Sequence, residues 1–154
     1  MNRSAGVQGA GVQRSGIRRA EARDVAAVTE LIHLLAEHQR AADECTVTEE
    51  QIHEALFAPN PSAFAHVACD ESGTVVGIAV WFLNYSTWDG SHGIYLEDLY
   101  VRPTERGAGH GKALLATLAQ ECVSQGYTRL SWSVANWNTP SIAFYESLDA
   151  KPQN

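Results

Sequence analysis

The chain is poor in cysteine: Cys45, Cys69 and Cys122 stand far apart, with no Cys-x-x-Cys pair and no histidine at ligand spacing. That pattern excludes a disulfide framework and a zinc cluster, and it points to a reducing, cytoplasmic setting without a bound metal. Long apolar runs are missing too. None reaches the roughly 18 residues of a membrane-spanning helix, so the chain reads as soluble with no membrane partner. Positive charge is scarce: 11 basic against 18 acidic residues leave a net charge of −7, which argues against nucleic acid as a partner and mildly favours cationic ligands. The opening MNRSAGVQGAGVQRSG lacks the apolar centre of a signal peptide and is rich in Gly, Ala, Ser and Gln, so residues 1–16 read as a disordered tail. What is present is a hydrophobic content of 45% within 154 residues, enough for one domain with a sizeable core and no visible repeat.

Periodicity supplies the elements of an α/β (α+β) domain. A short strand at Ile17 to Arg19 precedes an amphipathic helix near 22–38, carried by Val25, Val28, Ile32 and Leu35. Thr48 and Gln51 form a capping box for a second helix ending near Phe57. AFAHVACD and TVVGIAVWFLNY, joined through ESG, read as a hairpin, and GIYLEDLYV as a third strand after the loop STWDGSH. Leu114, Leu115, Leu118 and Cys122 place a helix over 109–125, which Gly126 ends in a left-handed cap. YTRLSWSV is the next strand, and Pro140 opens a short last helix.

Between the third strand and its helix lies RGAGHGK, three glycines and three potential cations in seven residues. A Walker A loop fails here, because Arg106 and Ala113 occupy positions that require Gly and Ser or Thr. A dinucleotide fingerprint fails as well, since Lys112 or Leu114 falls where its last Gly belongs. A tight glycine loop entering a helix remains an anion site by geometry, and Arg106 and Lys112 oppose the helix dipole unless an anion lies between them. A glycine-rich turn with solvated basic residues accounts for the loop alone equally well.

The surrounding residues are more specific. VRPTERGAGHGKALL after YLED, with ANWNTPSIAFYESL about thirty residues later, resembles the GNAT superfamily of N-acyltransferases over Ile17 to about Ala150. Its pyrophosphate motif here reads Arg106-x-x-Gly109-x-Gly111. YSTWDG, YLEDLYV and NWNTPSIAFY are most similar to the diamine (spermidine/spermine) and thialysine acetyltransferase branch. The resemblance implies a mixed, mostly antiparallel sheet, splayed at its centre between YLEDLYV and LSWSV, with helices on both faces. It implies acetyl-CoA as co-substrate. The backbone of Leu99, Tyr100 and Val101 would face its pantetheine arm. Arg106, Gly107, Ala108, Gly109, His110, Gly111 and Lys112 would hold its diphosphate, His110 through the backbone only, with Asn138 and Ser141 adding hydrogen bonds. Family members normally continue past the last helix into one or two strands, so the domain over 17–154 is expected to lack its final strand or strands, either because the chain is truncated or because the edge is left for a second copy in a homodimer.

Acetyl transfer to an amine needs an unprotonated nitrogen and a protonated or stabilised leaving thiolate. Glu97 and Asp98 are adjacent on a strand that otherwise reads as core, so alternation predicts that they point to opposite faces. The resemblance makes Glu97 the base and Tyr145 the acid. His38, Gln39, Ser86 and Trp88 are expected to line the acceptor channel, with Glu97 and the strand residues Ser131, Trp132 and Ser133. Gln39, Ser86 and Asn136 stand where polyamine-acetylating relatives tend to carry acids, which favours a short acceptor. Two functions follow: an N-acetyltransferase acting on a small amine such as a diamine, a polyamine or a lysine-like amino acid, or a coenzyme-binding regulatory module of the same fold with little turnover.

Overall fold

A computed structural model describes residues 16–133. Its sheet has five strands in chain order: β1 (Ile17–Arg19), β2 (Phe64–Cys69), β3 (Val75–Ser86), β4 (Ser91–Val101) and β5 (Arg129–Trp132). The first four pair antiparallel, and β5 joins β4 in parallel. Helices α1 (Val25–His38) and α2 (Glu49–Phe57) lie between β1 and β2 in the chain, and α3 (His110–Gln125) between β4 and β5. The last predicted helix, with Asn136, Asn138, Ser141 and Tyr145, lies outside the described residues, as does all but the end of the expected N-terminal tail.

Alternation along the strands divides the core between two faces. Val67, Ile78, Val80 and Tyr100 pack with Val28, Leu31 and Leu35 of α1 and Leu56 of α2. Ala79, Trp81, Ile94, Leu96 and Trp132 pack on the other face with Leu114, Leu115, Leu118 and Cys122 of α3. The capping box forms as its sequence predicts: Gln51 N–H donates to Thr48 Oγ1 (3.1 Å), and Thr48 N–H to Gln51 Oε1 (3.0 Å). A second local device joins β1 to α1. Arg18 grips buried Asp24 with two nitrogens at 2.7 and 3.0 Å, and Glu21 N–H donates to the same carboxylate at 2.7 Å. Burial pushes Asp24 upward, but these bonds outweigh it and hold the carboxyl below its ordinary range.

One connection is shorter than its sequence suggests. STWDGSH reads as a seven-residue loop, yet Ser86 pairs with Ser91 across a tight turn. Polar side chains build that turn: Ser86 Oγ accepts from the N–H groups of Trp88 and Asp89, and Asp89 Oδ1 accepts from Ser91 N–H and Oγ–H. Residues that look like loop formers are therefore strand ends.

His66 is buried on the α3 face, where Trp81 Nε1–H donates to its Nδ1 (3.1 Å). The indole nitrogen can only donate, so Nδ1 carries no proton. Burial, helped by the Arg19 charge, pulls the imidazole down to about 4 from 6.5. A group whose folded pKa is depressed contributes stability that is intact above its unfolded pKa and lost as pH falls, here between 6.5 and about 4. His66→Asn keeps an acceptor near Nδ1 without a titrating ring. Chemical denaturation of the two proteins at several pH values is expected to show wild type losing up to roughly 3 kcal/mol more than the variant over that window. Parallel pH profiles would contradict the account.

Candidate active site

The pairing of β4 with β5 is short. It runs from Gly93 opposite Arg129 to Leu96 opposite Trp132, while β4 continues to Val101 with no described strand on that side. Gly93 permits the close start: a Cβ there would sit 2.9 Å from both Arg129 Cβ and Asn84 Oδ1, the atom to which Arg129 Nη2 donates. Among the described residues the sheet opens just past Leu96, and there the β3–β4 register slips. Val80 pairs with Asp98 but Trp81 with Leu96, so Glu97 is the extra residue of a β-bulge.

Beyond the bulge, Arg102 N–H reaches Val76 O at 2.9 Å. Hydrogen bonding alternates along an antiparallel pair, so the N–H and C=O groups of Leu99 and Val101 turn to the open edge and those of Tyr100 turn to β3. This corrects the expectation for Tyr100, whose backbone does not face the gap; its ring is buried on the α1 face, with its centroid 6.3 Å from that of His38.

The open edge leads into the glycine loop. After the turn Pro103–Glu105, Gly107 and Gly109 adopt φ of 92° and 86°, and α3 begins at His110. Those angles are strained for any residue with a Cβ. Ala113 N–H donates to Gly109 O at 2.9 Å, whereas the six preceding N–H groups, 107–112, have no acceptor among the described residues. Such a run at a helix start is a nest for an anion. Lys112 is exposed beside it. Arg106 is placed differently from the expectation that it flanks the anion: its Nε donates to Val101 O at 2.9 Å and its guanidinium lies 5.2 Å from the Tyr100 ring centroid. It ties the loop to the strand edge. The His110 ring lies 3.9 Å from Glu105, which leaves its backbone N–H for the nest.

The bulge also changes the carboxylates. Glu97 and Asp98 together fill an interval that one residue fills in a regular strand, so the alternation expected to send them to opposite faces is interrupted between them. Glu97 is exposed, while Asp98 is partly buried opposite Val80, on the face of Tyr100 and the α1 core. Burial, reinforced by the Glu97 charge, raises the Asp98 carboxyl from 3.8 to about 7. Sequence reasoning favoured Glu97 and passed over Asp98; the signal was a carboxylate inside an apolar strand, and the bulge that singles it out has no sequence mark.

The other expected acceptor residues separate into groups. His38 and Gln39 lie at the end of α1 near Tyr100. Ser86 and Trp88 sit at the β3–β4 turn, and six residues of extended strand between Ser91 and Glu97 make that about 20 Å away. Trp88 is 98% exposed, so within one chain these two do not line a channel with Glu97. Trp132 belongs to the α3-side core. Ser131 pairs with Tyr95, and its buried Oγ has no partner among the described residues. Ser133 Oγ lies 2.6 Å from Tyr95 Oη. No group of three metal-ligating side chains is arranged around a common point among the described residues, and none of their helices is long and apolar enough to cross a membrane.

The chain matches the family model described as Acetyltransferase (GNAT) family over residues 28–149. It is 32% identical over 141 residues to thialysine N-epsilon-acetyltransferase from Bos taurus, covering 86% of this chain and 81% of that one. The Caenorhabditis elegans protein of the same name is 31% identical over 119 residues, covering 77% and 72%. Among solved structures, an aminoglycoside acetyltransferase from an uncultured soil metagenomic sample, in complex with trehalose, superposes with a TM-score of 0.75 at 20% identity over 90% of each chain. The chain therefore belongs to the GNAT acetyltransferase family and is an N-acetyltransferase, of a family whose co-substrate is acetyl-CoA.

Proposed function

We propose that the chain acetylates a primary amine of a small molecule, a diamine, polyamine or lysine-like amino acid, with the coenzyme diphosphate on the N–H groups of 107–112. The run of six N–H groups next to a strand edge, neither with a partner among the described residues, carries this reading. Bound acetyl-CoA supplies an activated acetyl thioester. Leu99 and Val101 offer backbone groups along its arm, and Lys112 adds positive charge near the diphosphate. Glu97, exposed at the bulge, takes up the proton that the amine releases. Tyr145, Asn138 and Ser141, outside the described residues, keep the roles implied by the family motif: proton donor to the leaving thiolate and partners of the coenzyme.

Relatives named for thialysine and, in Homo sapiens, for spermidine/spermine acetylation support an amine acceptor. The free thiols Cys45, Cys69 and Cys122 fit a reducing cytoplasm. Tyr85 and Trp88, 56% and 98% exposed at the β3–β4 turn, are apolar surface that a second copy in a homodimer would cover.

Three outcomes are expected. Gly109→Asp adds a side chain at φ 86° and a negative charge in the nest, so calorimetry should find acetyl-CoA bound at least tenfold more weakly; equal affinity would remove the loop from coenzyme binding. Glu97→Gln should reduce kcat/KM mainly at lower pH, where free amine is scarce, and a constant ratio to wild type across pH would remove Glu97 as proton acceptor. Short amines should have higher kcat/KM than spermine at one fixed salt concentration, because the long cation meets neutral Gln39 rather than an acid. A clear preference for spermine over every short amine would overturn that reading.

A further inference from the structure

The glycine loop carries one side chain that its backbone role leaves unused. His110 opens α3 and lends its N–H to the nest, while its imidazole, in a side chain only 13% exposed, turns toward the residue that precedes the loop. Its Nε2 lies 3.9 Å from Glu105 Oε1, within ion-pair range and beyond hydrogen-bond range. Glu105 ends the turn before the loop and His110 begins the helix after it, so the two side chains meet across the base of the loop. Among the described residues no other charged side chain is within ion-pair distance of either.

The remaining charges around α3 are committed elsewhere. Arg102 is held by Glu30 at 2.9 Å, and Arg106 by Val101 O and the Tyr100 ring. On the strands that α3 packs against, Arg18 grips Asp24, Arg19 lies over Phe64 and Trp81, and Arg129 bonds Asn84 near Asp89. His66 accepts from Trp81, His92 stacks with Tyr85 and Tyr127 at the far end of the sheet, and Asp70 closes the β2–β3 turn. Glu97 and Asp98 stand at the bulge, Asp98 on the opposite face. Lys112 therefore offers the nest a constant positive charge, and Glu105 is the acid that borders it.

A carboxylate beside an anion nest opposes a diphosphate, and an imidazolium beside that carboxylate cancels the opposition. An imidazole ordinarily changes charge between about pH 5 and about pH 8. We infer that His110 is a proton-operated counterion in the coenzyme site. With a solvent proton on its ring it neutralises Glu105, and the nest holds the diphosphate firmly; without that proton Glu105 stands uncompensated and the hold loosens. Linkage makes the effect reciprocal, so bound coenzyme draws a proton onto His110 as strongly as that proton draws the coenzyme. Loading of coenzyme and transfer are thereby favoured at opposite ends of the pH range, because the acceptor amine must lose its proton to react.

This inference rests on the proposed seat of the diphosphate at 107–112 and fails separately from it. The test is calorimetry of acetyl-CoA with wild type, His110→Gln and Glu105→Gln across that pH range. The coenzyme's 3′-phosphate itself titrates near about pH 6, so the ratio of variant to wild type is read rather than either affinity alone. From about pH 5.5 to about pH 8, wild-type affinity is expected to fall about threefold to tenfold relative to His110→Gln, whose amide takes no proton. At about pH 8, Glu105→Gln should bind about threefold more tightly than wild type, since the opposing charge is gone. A ratio to His110→Gln that is constant across pH, or weaker binding by Glu105→Gln at the alkaline end, would overturn the inference. Proton–carbon NMR of the wild-type imidazoles needs no variant: saturating coenzyme should move the midpoint of the His110 titration upward by about 0.5 pH units or more, the counterpart of a threefold effect. An unmoved midpoint would overturn the inference even if neither variant folds. Coenzyme that leaves the amide signals of 107–112 unshifted would instead defeat the diphosphate reading itself.

Discussion

The parting of β4 from β5 governs the site. Parallel pairing that continued to Val101 would bury the backbone groups of Leu99 and Val101 in a five-residue extension of the pairing and leave nothing for an extended ligand to pair with. Two local features limit it. Gly93 lets the strands meet where any side chain would collide with Arg129 and Asn84, so pairing begins there and is complete within four residues. The bulge at Glu97 then adds twist to β4 immediately after the last paired residue. An unpaired strand edge is ordinarily a hazard of aggregation; here its far end is occupied by Arg106, whose bond to Val101 O and stacking on Tyr100 tie strand and loop together.

The same geometry sorts the chemistry by face. The anion nest opens at the start of α3, while the partly buried carboxyl lies on the face of α1 and α2.

The elements were legible because their signals are local. The Thr48 and Gln51 box, the apolar spacing of Val25, Val28 and Leu35, and the left-handed Gly126 cap each act within one turn of chain, and each stands where its sequence puts it. The glycine loop was legible for the same reason, and its anion-binding reading needed only the helix that follows. What the sequence withheld depends on register between strands. The bulge, the interrupted alternation of Glu97 and Asp98, the assignment of Trp132 to the core, and the distance between Trp88 and Glu97 all follow from pairing with β3 and β5, which no local pattern encodes. The turn at Ser86 misleads in another way: serine and aspartate satisfy backbone donors there, so a loop-like composition closes a regular hairpin.

The central claim is that one continuous ligand path runs from the nest at 107–112 along the free edge of β4. Two-dimensional nitrogen–proton NMR of the full chain, titrated with acetyl-CoA, tests it directly. The amide signals of 107–112, Leu99 and Val101 should move together at a single binding constant, and that of Tyr100, bonded within the sheet, should move less. Shifts confined to other parts of the chain, with 107–112 unmoved at saturation, would contradict the account.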